Sequence, residues 1–508
     1  MARLLALTIC LGFVCLPQFI SAQLSLKQSH IFTQEFNQDY RALGFHTKVD
    51  STPNGSALLS LNKSDLKFAL NPAIDIMQTL NFSSNSLEGR YGVGVDIQSN
   101  WKRWDARLTY LGSNAQYLNY QKSFIREYGV MPTYGKAKGE VFKSSHYIDA
   151  FISFRTKKYF QFELGYGRNF IGDGYRSLLL SDHSQAFPYL KINTKFWKIR
   201  YTTLFSMHQN IFQVEGTPSL YQQKYTATHY LQWDIKPWIS FGLFETIIWA
   251  ADDGVYHRGF DVNYLNPVIF YRPVEFSVGS SDNAIVGANL TLVPTKTQKF
   301  YFQVLLDEFL LNELKADVRQ WRNPDQDIKS HWWANKYGIQ IGWQGKQDFG
   351  IKGLSHLFEF NLVRPFTYAH TNPTQAYSNF NMPLANPNGA NFQESIARLS
   401  YSKKKWAFTT QYVNIMKGFS PTGTNLGDNL ELSNQSRESD YENHLGQGIQ
   451  KRIQWVDCNI SYLVHEAWKM SLTLGYNYRI EQISNEQGVD EMIYIRLRTN
   501  LFNQYWDY

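Results

Sequence analysis

The sequence predicts an all-β fold: a transmembrane outer-membrane β-barrel of about eighteen antiparallel strands, with loops and short helices folded over or into the lumen. Three observations predict it. Apolar residues recur with a period of two, the connections between the resulting strands alternate between tight and long, and aromatic residues abound in a chain that is hydrophilic overall.

The period comes first. Tyr91, Val93, Val95 and Ile97 alternate with Gly92, Gly94 and Asp96, and Phe160, Phe162, Leu164 and Tyr166 alternate with Gln161, Glu163 and Gly165. Leu472, Leu474, Tyr476, Tyr478 and Ile480 repeat the pattern near the C-terminus. Successive side chains of an extended chain face opposite ways, so each stretch has one greasy face and one polar face. Followed along the chain, the alternation predicts strands near 65–82, 88–99, 101–112, 146–156, 158–167, 188–195, 197–207, 226–235 and 237–250. It continues at 284–295, 299–310, 337–346, 356–366, 393–403, 405–417, 450–464, 467–481 and 491–503.

The connections sort by parity. After even-numbered strands they are tight, as at Asn100, Lys157, Phe196, Lys236, Lys404 and His465-Glu466, with 347–353 somewhat longer. After odd-numbered strands they are mostly long: 113–145, 168–187, 208–225, 251–283, 311–336, 367–392 and 418–449. Tight turns at one end and long loops at the other, over an even number of strands, are the pattern of an outer-membrane barrel. A soluble sandwich has no reason to keep it.

Composition agrees. The chain has 508 residues, 16% of them aromatic, and a mean hydropathy of −0.38. Aromatic side chains collect at both membrane interfaces, while a barrel needs apolar residues only at alternate positions. After residue 22 there is no apolar run of about 18 residues, so no helix is expected to span a membrane. The net charge of +7 is dispersed, which excludes the basic footprint of a nucleic-acid binder.

Residues 1–22 read as a secretory signal peptide: Arg3, an apolar run from Leu4 to Leu16, then Ser21 and Ala22 before the expected cleavage. Phe13 and Val14 before Cys15 argue against a lipoprotein. Of three cysteines, only Cys458 would remain, mid-strand, so no intrachain disulfide is expected. Residues 23–64 are expected to form a periplasmic segment and 65–508 the barrel, with Gln504–Tyr508 ending at the periplasmic side.

Polar residues gather in the long loops. Residues 169–190, NFIGDGYRSLLLSDHSQAFPYL, invite two chemical readings, a phosphate loop and a catalytic cluster. A phosphate loop needs a parallel strand before the glycines and a helix after them. Here Gly165, Gly167, Gly172 and Gly174 lie in and after a strand of antiparallel character. Ser181, Asp182 and His183 are consecutive, whereas a nucleophile, base and orienting acid come from separated positions; only a distant Ser meeting His183 would leave a lipase open. Asp307 and Glu308 are neighbours on a strand and point to opposite faces, so they do not flank one glycosidic bond. Pairing of either with Asp173, Asp282 or Glu394 stays open. The twelve histidines show no ligand spacing, so no metal, cofactor or catalytic residue is expected. The stretch reads instead as a loop with a short helix near Arg176–Ser181, packed into or over the barrel mouth.

Five stretches, GRNFIGDGYRSLLLSD with FPYL, NYLNPVIFYRPVEFSVGSSDNAIVG, LLDEFLLNE, WWANKYGIQIG and LANPNGANFQE, carry a resemblance. Together, and in this order, they are similar to the capsule-assembly Wzi family of outer-membrane barrels, and most of all to its gliding-motility RemB branch. The resemblance runs from about residue 65 to the end. It implies an eighteen-stranded barrel in the outer membrane of a Gram-negative cell that engages surface polysaccharide in capsule attachment, adhesion or gliding, with gliding or secretion machinery as further partners. A channel for solutes or polysaccharide is the alternative.

Two roles are expected for the loop residues. Charges taken from bulk water need partners, so Arg168, Asp173, Asp182, Glu275, Asp282, Arg364 and Glu394 are expected to form a lumen charge network. Sugars suit flat aromatic faces and forked charged groups, so Tyr175, Arg176, Tyr264, Arg272, Trp332 and Trp333 are the polysaccharide-binding candidates.

Overall fold

The structure, a computed structural model, describes residues 57–63, 65–131, 134, 143–252, 258–267, 282–326, 328–501, 503–505 and 507. The expected signal peptide and most of the 23–64 segment lie outside these residues, as do Arg272 and Glu275.

The alternation builds a closed wall of eighteen antiparallel strands. In chain order they are β1 (Leu66–Asn81), β2 (Ser86–Trp101), β3 (Trp104–Ala115), β4 (Lys143–Arg155), β5 (Phe160–Gly167) and β6 (Phe187–Phe196). Then come β7 (Ile199–Asn210), β8 (Gln222–Lys236), β9 (Ile239–Ala250), β10 (Asn283–Thr295), β11 (Gln298–Glu308) and β12 (Lys336–Lys346). The wall finishes with β13 (Leu354–Val363), β14 (Phe392–Lys403), β15 (Trp406–Phe419), β16 (Ile449–His465), β17 (Met470–Ile483) and β18 (Glu486–Arg498). Each pairs with its chain neighbour, and β18 closes the ring on β1 in a register from Asp75↔Arg498 to Asn81↔Met492. Arg496 latches this seam with a two-pronged bond to the Asp75 carboxylate, 2.7 and 2.8 Å. A short flanking strand, Leu59–Asn62, pairs with Lys67–Leu70 of β1. Pro72, which has no N–H for a ladder, falls in the gap between that strand and the end of β18.

Burial follows the period. On β17, Ser471, Thr473, Asn477 and Arg479 face in and are buried, while Leu472 and Leu474 face out and are exposed. Cys458 stands mid-strand on an outward position, its sulfur 3.2 Å from the Thr410 hydroxyl. At the tight-turn end, Trp101, Trp104, Trp197, Trp238, Trp343 and Trp406 are all exposed, a one-ended aromatic girdle of the kind a membrane interface selects. Among the described residues no helix is long and apolar enough to cross a membrane.

Among the described residues, two α-helices interrupt the long connections: α1 (Asn119–Tyr128) between β3 and β4, and α2 (Leu311–Arg322) between β11 and β12. The helix expected near Arg176–Ser181 is absent. That stretch is irregular, closed by a single bridge between Ile171 and Leu180, because its backbone groups bond the wall rather than one another. A second expectation also changes. The last strand ends at Arg498 rather than near 503, and the tail turns back into the barrel instead of ending outside the tight-turn end.

Candidate functional site

Loop 168–186 occupies the lumen. Its glycines allow the path: Gly172 has φ +114 and Gly174 φ +95, which side chains rarely tolerate. A Cβ on Gly174 would also stand 3.1 Å from both the Arg176 carbonyl and Gln340 Nε2. The freed backbone is held by β13, where the Glu359 carboxylate accepts from the Tyr175 N–H at 2.6 Å and the Tyr301 hydroxyl at 2.7 Å. Arg176 is fully buried and forms ion pairs with Glu394 on β14 and with Asp507 of the tail, the latter at 2.5 Å. Burial alone would lower its pKa, but these two carboxylates hold it above the usual guanidinium range. Asp173 pairs with Lys299 and accepts from Thr291 Oγ1 (2.5 Å) and Asn289 Nδ2 (2.8 Å). Burial pushes its carboxyl up, and these partners outweigh that, so it sits below the ordinary value.

The tail completes the filling. The Tyr505 hydroxyl donates to Asp182 Oδ1 at 2.6 Å and also lies 3.1 Å from the Tyr175 carbonyl. Above this layer Leu178, Leu179 and Leu180 join Tyr230, Phe244, Tyr368, Tyr377 and Phe392 in an apolar core inside the barrel. Loop 364–391 caps it, with Tyr368 and Tyr377 donating to the Leu178 and Leu179 carbonyls at 2.9 and 2.8 Å. An open barrel of this strand number would hold an aqueous channel; here loops, core and tail stand in it.

The remaining residues singled out from sequence fall as follows. Arg168 bonds the Asp182 carbonyl and, at 3.3 Å, the Tyr147 hydroxyl. Asp282 accepts from Arg258 at 2.9 and 3.0 Å, from the Tyr264 hydroxyl at 2.5 Å and from Gln375 at 3.0 Å. Glu394 also takes the side-chain amides of Asn361 and Asn386 at 3.0 Å and of Asn388 at 3.1 Å. Arg364 reaches the Trp332 and Asn443 carbonyls at 3.2 and 3.1 Å, with Asp317 at 3.8 Å. Of the aromatics, Tyr175, Tyr264 and Trp333 are buried and Trp332 is half-buried. Tyr264 packs on Trp249, ring centroids 4.7 Å apart, and Arg437 lies 4.1 Å over the Trp333 ring. Asp307 and Glu308 share one partner, Lys336, at 3.4 and 3.0 Å. His183 is buried beside Tyr505, and burial together with the Arg176 and Arg168 charges lowers its pKa to about 3.

A cleft of about 460 Å³ opens at the long-loop end between α1 and strands β15–β18. One face carries Tyr120, Phe124 and Tyr128, which the helix stacks on one side because they are four residues apart. The other carries Lys417, Lys451 and Arg479. Arg479 lies 4.5 Å over the Tyr120 ring and donates to Glu481 at 2.5 Å, while Lys451 reaches Glu481 at 3.0 Å. Asn388, which bonds Glu394, also lines the cleft, so its floor is tied to the Arg176 network. Apart from Asn388, which lies in the LANPNGANFQE stretch, none of the cleft residues named here was singled out from sequence. Their signal was there in the Tyr120, Phe124, Tyr128 spacing, hidden in a connection noted only for its length.

No family model matches the chain, and no curated protein matches it. Its fold is similar to solved outer-membrane barrels. One is Escherichia coli Wzi, described as an outer membrane protein involved in group 1 capsule assembly and a carbohydrate-binding β-barrel, at 11% identity over 85% of each chain, TM-score 0.50. Others are Pseudomonas aeruginosa OprD (10% identity, 85% of this chain and 94% of that one, TM-score 0.42) and OpdK with vanillate (10%, 85% and 98%, 0.44). The likeness to Wzi shows the fold: a barrel of the Gram-negative outer-membrane kind.

Proposed function

We propose that the protein is a non-enzymatic outer-membrane surface protein that engages polysaccharide at its long-loop end, in support of capsule attachment, adhesion or gliding motility. The observation that carries this reading is the division of the barrel: a lumen filled by loop and tail beneath an open cleft lined by aromatic rings and charged forks. Such a cleft suits a sugar chain, because flat rings pack on pyranose faces while guanidinium, ammonium and carboxylate groups bond hydroxyls. The carbohydrate-binding neighbour of like fold supports it. In this reading the long loops face outward, the 1–22 segment exports the chain, and half-buried Trp332 adds a second contact at the same end. Gliding or secretion machinery would meet the barrel through surfaces other than the cleft.

The test is binding of the detergent-solubilised barrel to surface polysaccharide from its own source, with Tyr120→Ala and Trp332→Ala alongside. Weaker binding by Tyr120→Ala places the site in the cleft, and weaker binding by Trp332→Ala alone places it on the neighbouring loop. Failure of the folded wild type to bind overturns the proposal. The same sample in a planar bilayer is expected to conduct poorly; steady large conductance would favour the channel.

A further inference from the structure

Away from the cleft, two long loops meet at the same end of the barrel. The β11–β12 connection presents His331, and the β15–β16 connection presents Glu442 and His444. One ligand atom of each lies within 4.8 Å of the other two. His444 Nε2 is 3.0 Å from Glu442 Oε2, and the two imidazole rings have centroids 4.1 Å apart. A tetrahedral ion at about 2.0–2.1 Å from each donor would hold them roughly 3.3 Å apart, so small rotations of the exposed Glu442 and His444 side chains toward half-buried His331 close the set.

The backbone beneath is already clamped. Trp333 N–H donates to the Asp440 carbonyl at 2.9 Å, Glu442 N–H to the Ser330 carbonyl at 3.0 Å, and Asn443 N–H to the His331 carbonyl at 3.0 Å. Arg364 ties the Trp332 and Asn443 carbonyls together. His331 and Glu442 both hold positive φ, +55 and +62, which costs an ordinary residue about 1 kcal/mol or more and persists only where the surroundings impose it. The Ser330 hydroxyl supports both loops, at 3.0 Å from His331 Nδ1 and 3.4 Å from Glu442 Oε1. With Nδ1 held by that contact, Nε2 would be the ligand nitrogen, the arrangement in which a ligand imidazole is oriented through its other nitrogen.

We infer that His331, Glu442 and His444 form a binding site for a divalent transition-metal ion of the zinc class, bridging the two loops across the barrel mouth. Two imidazole nitrogens and one carboxylate are a zinc donor set with a fourth position open, here toward solvent. The inference goes beyond the polysaccharide reading and does not depend on it. The ion would staple together connections more than 100 residues apart in sequence.

The test uses the full detergent-solubilised barrel, stripped with a chelator and titrated with zinc chloride by calorimetry. Cobalt follows as a spectroscopic probe of tetrahedral coordination. Folding of each variant is checked by heat-modifiable gel mobility. One zinc per wild-type chain is expected. Affinity should fall by more than about 100-fold in His331→Ala and His444→Ala, since losing a ligand exceeds the 10- to 100-fold cost of losing a supporting partner. Glu442→Gln, the mildest change, should fold normally and still bind weakly. His465→Ala, at the tight-turn end, should bind like the wild type. No uptake by the folded wild type, or equal uptake by the His331 and His444 variants, overturns the inference.

Discussion

The lumen and the outer cleft are built from the same residue types and use them in opposite ways. In loop 168–186 the four charges Arg168, Asp173, Arg176 and Asp182 all find partners on the wall or the tail, and all are buried. In the cleft, Arg479 and Lys451 converge on Glu481 while Tyr120, Phe124 and Tyr128 stay half-buried along an open space. A charge deep in a barrel must be matched almost atom for atom. In the cleft Arg479 is itself buried, but Lys451 and Glu481 keep part of their side chains exposed beside the open space, where a ligand can reach them. Plug and site are thus distinguished by whether open space adjoins the paired groups.

The most direct way to break the comparison is Arg176→Ala. It strands Glu394 and Asp507, and removing one partner of a buried pair costs about 3–5 kcal/mol, so the denaturation midpoint in detergent should drop steeply. Arg176→Met with Glu394→Gln and Asp507→Asn should regain much of the loss; if it does not, charge matching is not what holds the plug.

Truncation after Arg498 removes the Tyr505 and Asp507 contacts and should raise bilayer conductance above the wild type; Tyr505→Phe, which loses one bond to a charged group, should cost about 1.5–3 kcal/mol. Unchanged conductance in the truncation would mean that the loops alone seal the lumen.

Acid should loosen the plug before the wall. The folded-state pKa of His183 is lowered to about 3 from 6.5, so between those values the unfolded chain binds the extra proton. This contribution is complete above about pH 6.5 and is lost as pH falls toward 3. The fall in stability over that window should shrink in His183→Gln; an identical pH profile would remove His183 from the account.

The smallest effects on stability belong to the cleft. Tyr120→Ala should leave the barrel folded and weaken polysaccharide binding about tenfold, some 1.4 kcal/mol. Trp332→Ala should act less, since its ring is one contact beside a larger surface.

Much of the wall was legible. A period of two needs only local geometry, so the strands around Tyr91–Ile97 and Leu472–Ile480 appear where the alternation places them. The lumen was legible in kind, because Asp and Arg crowded into a long loop must be paired somewhere. The helix expected near Arg176 was not found, since Glu359 and Gln340 on distant strands take the backbone groups a helix would have used internally. The tail was misplaced for the same reason: its partners, Arg176 and Asp182, lie more than 300 residues away. The cleft and the His331, Glu442, His444 set escaped because each joins segments unrelated in sequence.

By itself, the sequence determined the class of fold, the number and order of strands, and which end bears the long loops. Each follows from side-chain alternation and connection length, which are properties of neighbouring residues. Only the tertiary structure decided what fills the barrel, which aromatics are buried and which line an opening, and which charges meet. Those outcomes depend on closing the ring, which brings β1 to β18 and puts loops from opposite sides into one confined, poorly solvated volume where an unpaired charge is costly.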